Sequence, residues 1–249
     1  MTWTFRFAAL SVQISRRALL AGLCLATLLL AAALLAVQTG SYPLSSGQMA
    51  AVLQGRGTGI EQMILLDHRL PRIAAALGAG AAFGLAGAMF QTMLRNPLAA
   101  PDVIGFNAGA SCGALAAVIL TGGMMLAGAI AGAALAAALV LLLSWKDGLA
   151  PGRLILTGIG ASLTLTAAAD LLVSRIDPQT ASDLLSWLTG SLHSRSWEDA
   201  ARVWAGLALL APVLWRLHFP LARLAMDDGI ATGLGLPVSG LRLAVAGAG

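Results

Sequence analysis

The chain has 249 residues, 58% of them hydrophobic and only 10% charged, with a mean hydropathy of +0.84. A soluble domain carries about 25% charged residues, so this chain cannot coat itself in water and reads as an integral membrane protein. Its net charge of +4 does not imply nucleic acid, because the basic residues stand singly between apolar runs, as topology signals do.

A helix needs about 20 apolar residues to cross the hydrocarbon core. The first such run is Ala18–Val37. It exceeds the roughly 7–15 apolar residues of a signal peptide, and we read it as a retained helix. The second run is Ile73–Leu94, the third Val103–Leu120, the fourth Met124–Trp145 and the fifth Leu154–Val173. A sixth extends from Ala200 to Leu217 and contains Pro212, and a seventh begins near Leu241. The expected fold is an all-α polytopic membrane helix bundle. Residues 1–249 are expected to form one transmembrane domain of about six full spans and the start of a seventh, incomplete at its C-terminal end.

Basic residues orient the bundle. With the N-terminus inside, the cytoplasmic set is Arg6, Arg16, Arg17, Arg95, Lys146, Arg153, Arg216, Arg223 and Arg242. It outnumbers the outside set of Arg56, Arg69, Arg72, Arg175, Arg195 and Arg202, a bias in the expected direction. Small residues recur at four-residue spacing: Gly80 with Gly84, Gly105 with Gly109 and Gly113, and Gly128 with Gly132. Such rows let helix backbones approach closely.

Catalytic signatures are missing. No phosphate-binding G-x-x-x-x-G-K-[ST] loop occurs, Lys146 is the only lysine, and His68, His193 and His218 are isolated. Cys24 and Cys112 lie in apolar runs without metal-ligand spacing. We expect no enzyme activity and no cofactor. Asp170 is the one acid within a span, which makes it a candidate ion site. It also lies near its helix end, within reach of water or Arg175, and that is the reading we prefer.

The connections carry more pattern. Between spans two and three, Pro97 and Pro101 remove backbone donors and turn Asn96 and Ala100 away from helix. Asp102 is placed to cap the next helix, and the whole reads as a tight, buried turn. Between spans five and six, "SDLLSWLTGSL" is too short to span and reads as an interfacial or re-entrant helix, followed by a capping box of Ser196 and Asp199. After span six, Asp227 and Asp228 start a short helix, Gly233 and Gly235 break it, and Pro237 stops it, giving a compact tab.

The wording of these segments resembles the iron-siderophore and vitamin B12 permeases of bacterial ABC importers. The resemblance rests on Arg69-Leu70-Pro71-Arg72, then Gln91, Asn96-Pro97-Leu98-Ala99, Pro101 and Gly105. "PDVIGFNAGA" is most similar to subunits that handle ferric catecholate siderophores of the enterobactin type. "LLSWLTGSLHSRSWEDA" is similar to the family's W-x-x-G-S-L-x-x-x-x-W segment, and residues 221–240 to its cytoplasmic coupling segment. The family's chains are longer, with ten helices.

The resemblance implies a permease subunit of the bacterial inner membrane working by alternating access. Its implied partners are ATP-binding subunits, a periplasmic siderophore-binding protein and a second permease subunit, identical or not. The implied cargo is a ferric siderophore. Arg69 and Arg72 would dock the binding protein, with Trp187, Gly190 and Ser191 at an outer gate. Ala225, Met226, Asp227, Asp228, Gly229, Ala231, Gly233 and Gly235 would couple to the ATPase. The rivals are a cobalamin or haem importer, an ion-coupled secondary transporter using Asp170, and a membrane scaffold that transports nothing.

Overall fold

The computed structural model describes residues 2–7, 10–146, 148–224, 228–233, 235 and 237–248. A hairpin absent from the sequence reading comes first: β1 (Thr2–Phe7) pairs antiparallel with β2 (Leu10–Ser15). Ser15 then caps α1 (Arg16–Gln38), its hydroxyl accepting the Ala18 N–H at 3.1 Å. No residue of α1 is buried. A helix apolar along most of its length and exposed except near its C-terminal end suits hydrocarbon.

No helix was expected between Val37 and Ile73, yet the chain folds there. α2 (Ser46–Leu53) and α3 (Gly59–Gln62) each open on a capping box, Ser45 with Gln48 and Thr58 with Glu61. α3 runs through a π-helical stretch, Met63–Arg69, into α4 (Leu70–Leu94). Pro71 gives the widening a cause. Its ring would collide with the Asp67 carbonyl in an α-helix, and the wider turn relieves that clash. The Leu70 N–H accordingly reaches back to the Leu65 carbonyl.

The remaining helices are α5 (Phe106–Thr121), α6 (Met125–Ser144), α7 (Pro151–Val173), α8 (Pro178–Leu188), α9 (Trp197–Leu224), α10 (Asp228–Gly233) and α11 (Val238–Ala248). Among the described residues, five helical stretches are long and apolar enough to cross a membrane: α1, the continuous 59–94 stretch, α6, α7 and α9. The expected third span falls short. α5 has 16 residues, about 24 Å at 1.5 Å per residue. The sixth is longer than expected, because α9 passes through Pro212 and Pro220 to Leu224. Pro212 falls within the expected span, where a broken helix would leave backbone groups without water, so that proline is carried rather than obeyed.

The chain divides into two compact units, Met1–Leu77 with His193–Arg202, and Gly78–Leu192 with Val203–Gly249. The first has a small core of Leu44, Val52 and Leu65. The second has two clusters. Phe90, Met93, Ile104, Val140, Leu154 and Leu224 belong to one, and Leu115, Ala169 and Leu184 form the other.

Within the second unit α5 and α6 form the closest seam. A Cβ on Gly109 would lie 2.6 Å from the Gly132 carbonyl oxygen, and one on Gly113 would lie 2.7 Å from the Gly132 Cα. Gly128 likewise faces Gly113 and Ala117. The expected glycine rows therefore meet each other. Gly105 leaves its row: it precedes α5 at φ +84° and faces Ser162 of α7. Gly80 and Gly84 face open space.

Candidate docking, gating and coupling sites

Arg69 and Arg72 have different surroundings. Arg69 is half-buried, and its guanidinium donates to the carbonyls of Val37 and Tyr42, tying the end of α1 and the following loop to the π-helical turn. Gly40 sits beside it without a side chain, where a Cβ would lie 2.6 Å from an Arg69 nitrogen. Arg72, on the first turn of α4, is exposed. One arginine is a structural clamp and the other an available cation.

The Asn96 turn is built differently from expectation. Arg95 takes φ +51°, the Arg95 N–H reaches the Thr92 carbonyl at 3.3 Å, and the Asn96 N–H reaches the Gln91 carbonyl at 3.1 Å. This paired closure is the Schellman motif, with arginine in place of the usual glycine. The Asn96 side-chain oxygen then accepts the Leu98 N–H at 2.9 Å, and Ala99 N–H bonds the Asn96 carbonyl at 3.0 Å.

Pro101 opens a 3-10 turn, Pro101–Ile104, after an extended Ala100. Asp102 lies inside that turn and does not cap α5, whose N-cap Gly105 offers no side chain. Nor is the turn buried throughout: Ala99 and Ile104 are, but Pro97, Leu98 and Asp102 are exposed. An N–P–L–A sequence predisposes to this path. The left-handed arginine before it had no local signal.

α8 confirms a short, non-spanning helix. Asp177 caps it, accepting the Thr180 N–H at 3.0 Å. That amide first, and the Thr180 hydroxyl next, hold the Asp177 carboxyl below the usual carboxylate range. Leu184 packs in one cluster with Leu115 of α5 and Ala169 of α7. Trp187 stays partly exposed, Gly190 ends the helix at φ +78°, and Ser191 is exposed. The expected Ser196–Asp199 box is present, with its two backbone bonds at 3.1 and 3.3 Å.

The coupling segment is only partly as expected. Leu221 and Leu224, at the start of the 221–240 segment, are buried residues of α9. Asp228, Gly229, Ala231 and Gly233 lie in α10, and Gly235 follows at φ +78°, its N–H on the Thr232 carbonyl at 2.8 Å. Ala225, Met226 and Asp227 lie outside the described residues.

Sequence reasoning missed what stands beside this segment. Arg242, counted above as a topology signal, is 3% exposed, and its guanidinium donates to the Leu149 carbonyl at 2.6 Å. Arg153 similarly holds the carbonyls of Ser144 and Lys146 at 3.2 and 3.0 Å. The connection between α6 and α7 is thus held by two guanidiniums, one from α7 and one from α11. A cation inside the apolar "LRLAV" run was the available signal.

Asp170 is exposed on α7, and among the described residues no ion pair joins it to Arg175.

Membrane-length helices, a backbone-to-backbone glycine seam and folded connections define a polytopic α-helical membrane protein. The chain belongs to the FecCD transport family, whose description matches residues 28–249. It is 34% identical over 235 residues to the ferric enterobactin transport system permease protein FepG of Escherichia coli (strain K12), covering 93% of this chain and 71% of FepG. It is 36% identical over 224 residues to the achromobactin transport system permease protein CbrC of Dickeya dadantii (strain 3937), covering 88% of this chain and 64% of CbrC. A solved inward-facing metal-chelate type ABC transporter superposes with a TM-score of 0.78 at 29% identity, over 91% of this chain and 72% of that one.

Proposed function

We propose that this chain is a permease subunit of a binding-protein-dependent ABC importer that carries a ferric siderophore across the bacterial inner membrane, powered by separate ATP-binding subunits. The family match over residues 28–249 carries the reading. The named substrates of FepG and CbrC support the cargo class. In this reading the N-terminus is cytoplasmic, and a second permease subunit, identical or not, completes the pathway.

Arg72 offers an exposed cation for acidic groups of the periplasmic binding protein, with Arg69 holding the segment that bears it. The end of α8, with Trp187, Gly190 and Ser191, borders the outer mouth. The 225–235 segment docks on the ATPase, and its motion reaches α6 and α7 through Arg242, whose guanidinium is tied to the Leu149 carbonyl.

The test is uptake by the full-length protein reconstituted with its ATPase and binding protein. Uptake of a ferric siderophore that requires ATP supports the proposal. ATP-driven uptake of cobalamin or haem instead would change the cargo. Uptake that ignores ATP and collapses with an ion gradient would replace the mechanism with an ion-coupled one.

A further inference from the structure

The π-helical turn before Arg72 leaves one backbone acceptor without a helical donor. Leu70 N–H bonds the Leu65 carbonyl. The next donor in that register would serve Leu66, but it falls at Pro71, which has no N–H. The Leu66 carbonyl is instead taken by the indole N–H of Trp197 at 2.8 Å. Pro71 is fully buried. Trp197, itself 51% exposed, opens α9 directly behind the Ser196–Asp199 box. The contact therefore joins a fixed helix start to the turn that sets the direction of Arg72.

We propose that Trp197 is a positioning residue for docking: its indole N–H occupies the Leu66 carbonyl that Pro71 leaves unserved and thereby holds Arg72 in its docking direction. The proposal rests on the docking reading of Arg72. Trp197 acts through that arginine and does not itself touch the binding protein. Association weakens by the fraction of molecules in which Arg72 is out of place.

Pro71 supplies the control. Pro71→Ala restores an N–H at position 71, gives Leu66 a helical donor and makes the indole donor dispensable. A role in packing alone would not depend on position 71 in this way.

The experiment measures association of the binding protein with the full-length permease, assembled with its ATPase subunits in lipid nanodiscs, over a salt series. Trp197→Phe keeps an aromatic ring but removes the donor, and should weaken association about three-fold. In the Pro71→Ala background the same change should have an effect below about 1.5-fold. Equal losses in both backgrounds, or no loss in either, would overturn the proposal. Should Pro71→Ala fail to assemble, benzothienylalanine at position 197 replaces the N–H by sulfur at nearly constant shape. It should give the same three-fold loss, and no loss would overturn the proposal. Arg72→Ala separates the two levels: if it weakens association while Trp197→Phe does not, docking stands and positioning falls. If Arg72→Ala changes nothing, both fall.

Discussion

Glycine rows of the same spacing have opposite fates in this protein. On α5 and α6, Gly109, Gly113, Gly128 and Gly132 bring two backbones into direct contact, with no room for a Cβ. On α4, Gly80 and Gly84 meet nothing within 4 Å. Spacing tells what a helix can accept, and only the partner tells whether it does. The largest expected effect tests this difference. Gly113→Leu must push α6 backbone aside, which costs about 3 kcal/mol or more, and should abolish monodisperse full-length protein after extraction. Gly84→Leu should extract normally and shift thermal stability by under about 1 kcal/mol, helped by helix propensity. Equal damage from both would mean that the α4 row is also covered in the assembled protein, and the comparison would fail.

The same lesson recurs, at smaller scale, in Arg69 and Arg72. One motif supplies both, yet Arg69 bonds two carbonyls and Arg72 is exposed. Arg69→Met should lower thermal stability by about 1–2 kcal/mol, because the Val37 and Tyr42 carbonyls lose a charged donor. Arg72→Met should move stability by less than about 0.5 kcal/mol while reducing binding-protein association most strongly at low salt. A stability loss at Arg72 matching that at Arg69 would erase the division of roles.

What the sequence disclosed follows from where the information lies. Long apolar runs are local, so α1, α4, α6 and α7 were legible to within a few residues. The end of α9 was not, because the helix continues past the apolar run, through Pro220 to Leu224. The capping boxes at Ser45 and Thr58 were readable by the rule that found Ser196, but short helices between apolar runs leave weak periodicity. The π-helical turn had its cause in Pro71, yet the donor that completes it, Trp197, lies 131 residues from Leu66, the residue it serves. Likewise the sequence marked Arg69 and Arg72 as a pair and could not assign them different tasks, since the carbonyls that occupy Arg69 come from the end of α1 and the loop beyond. Asp102 looked like a cap by type and position. The intervening 3-10 turn moved the helix start to Gly105.

The smallest effect contrasts the glycine seam with a helix held by a charged side chain. The α5–α6 contact contains no titrating group at its glycines and should be insensitive to mild acid. The start of α8 depends on the Asp177 carboxylate, which accepts the Thr180 N–H at 3.0 Å and is held below its usual range by that bond. A carboxyl lowered in the folded state contributes its stability above the unfolded pKa, about 3.9. That contribution declines as pH falls from there through the lowered folded value. Amide exchange at Thr180, corrected for its intrinsic rate, should therefore accelerate as pH drops through this window, while amides of α5 and α6 near Gly113 and Gly132 stay protected. Asp177→Asn keeps a good capping side chain but removes the titration, so its protection at Thr180 should no longer respond to pH there. A wild-type and an Asn variant with the same acid response would show that some other group loosens this end of α8, and that the carboxylate cap is not what sets it apart from the seam.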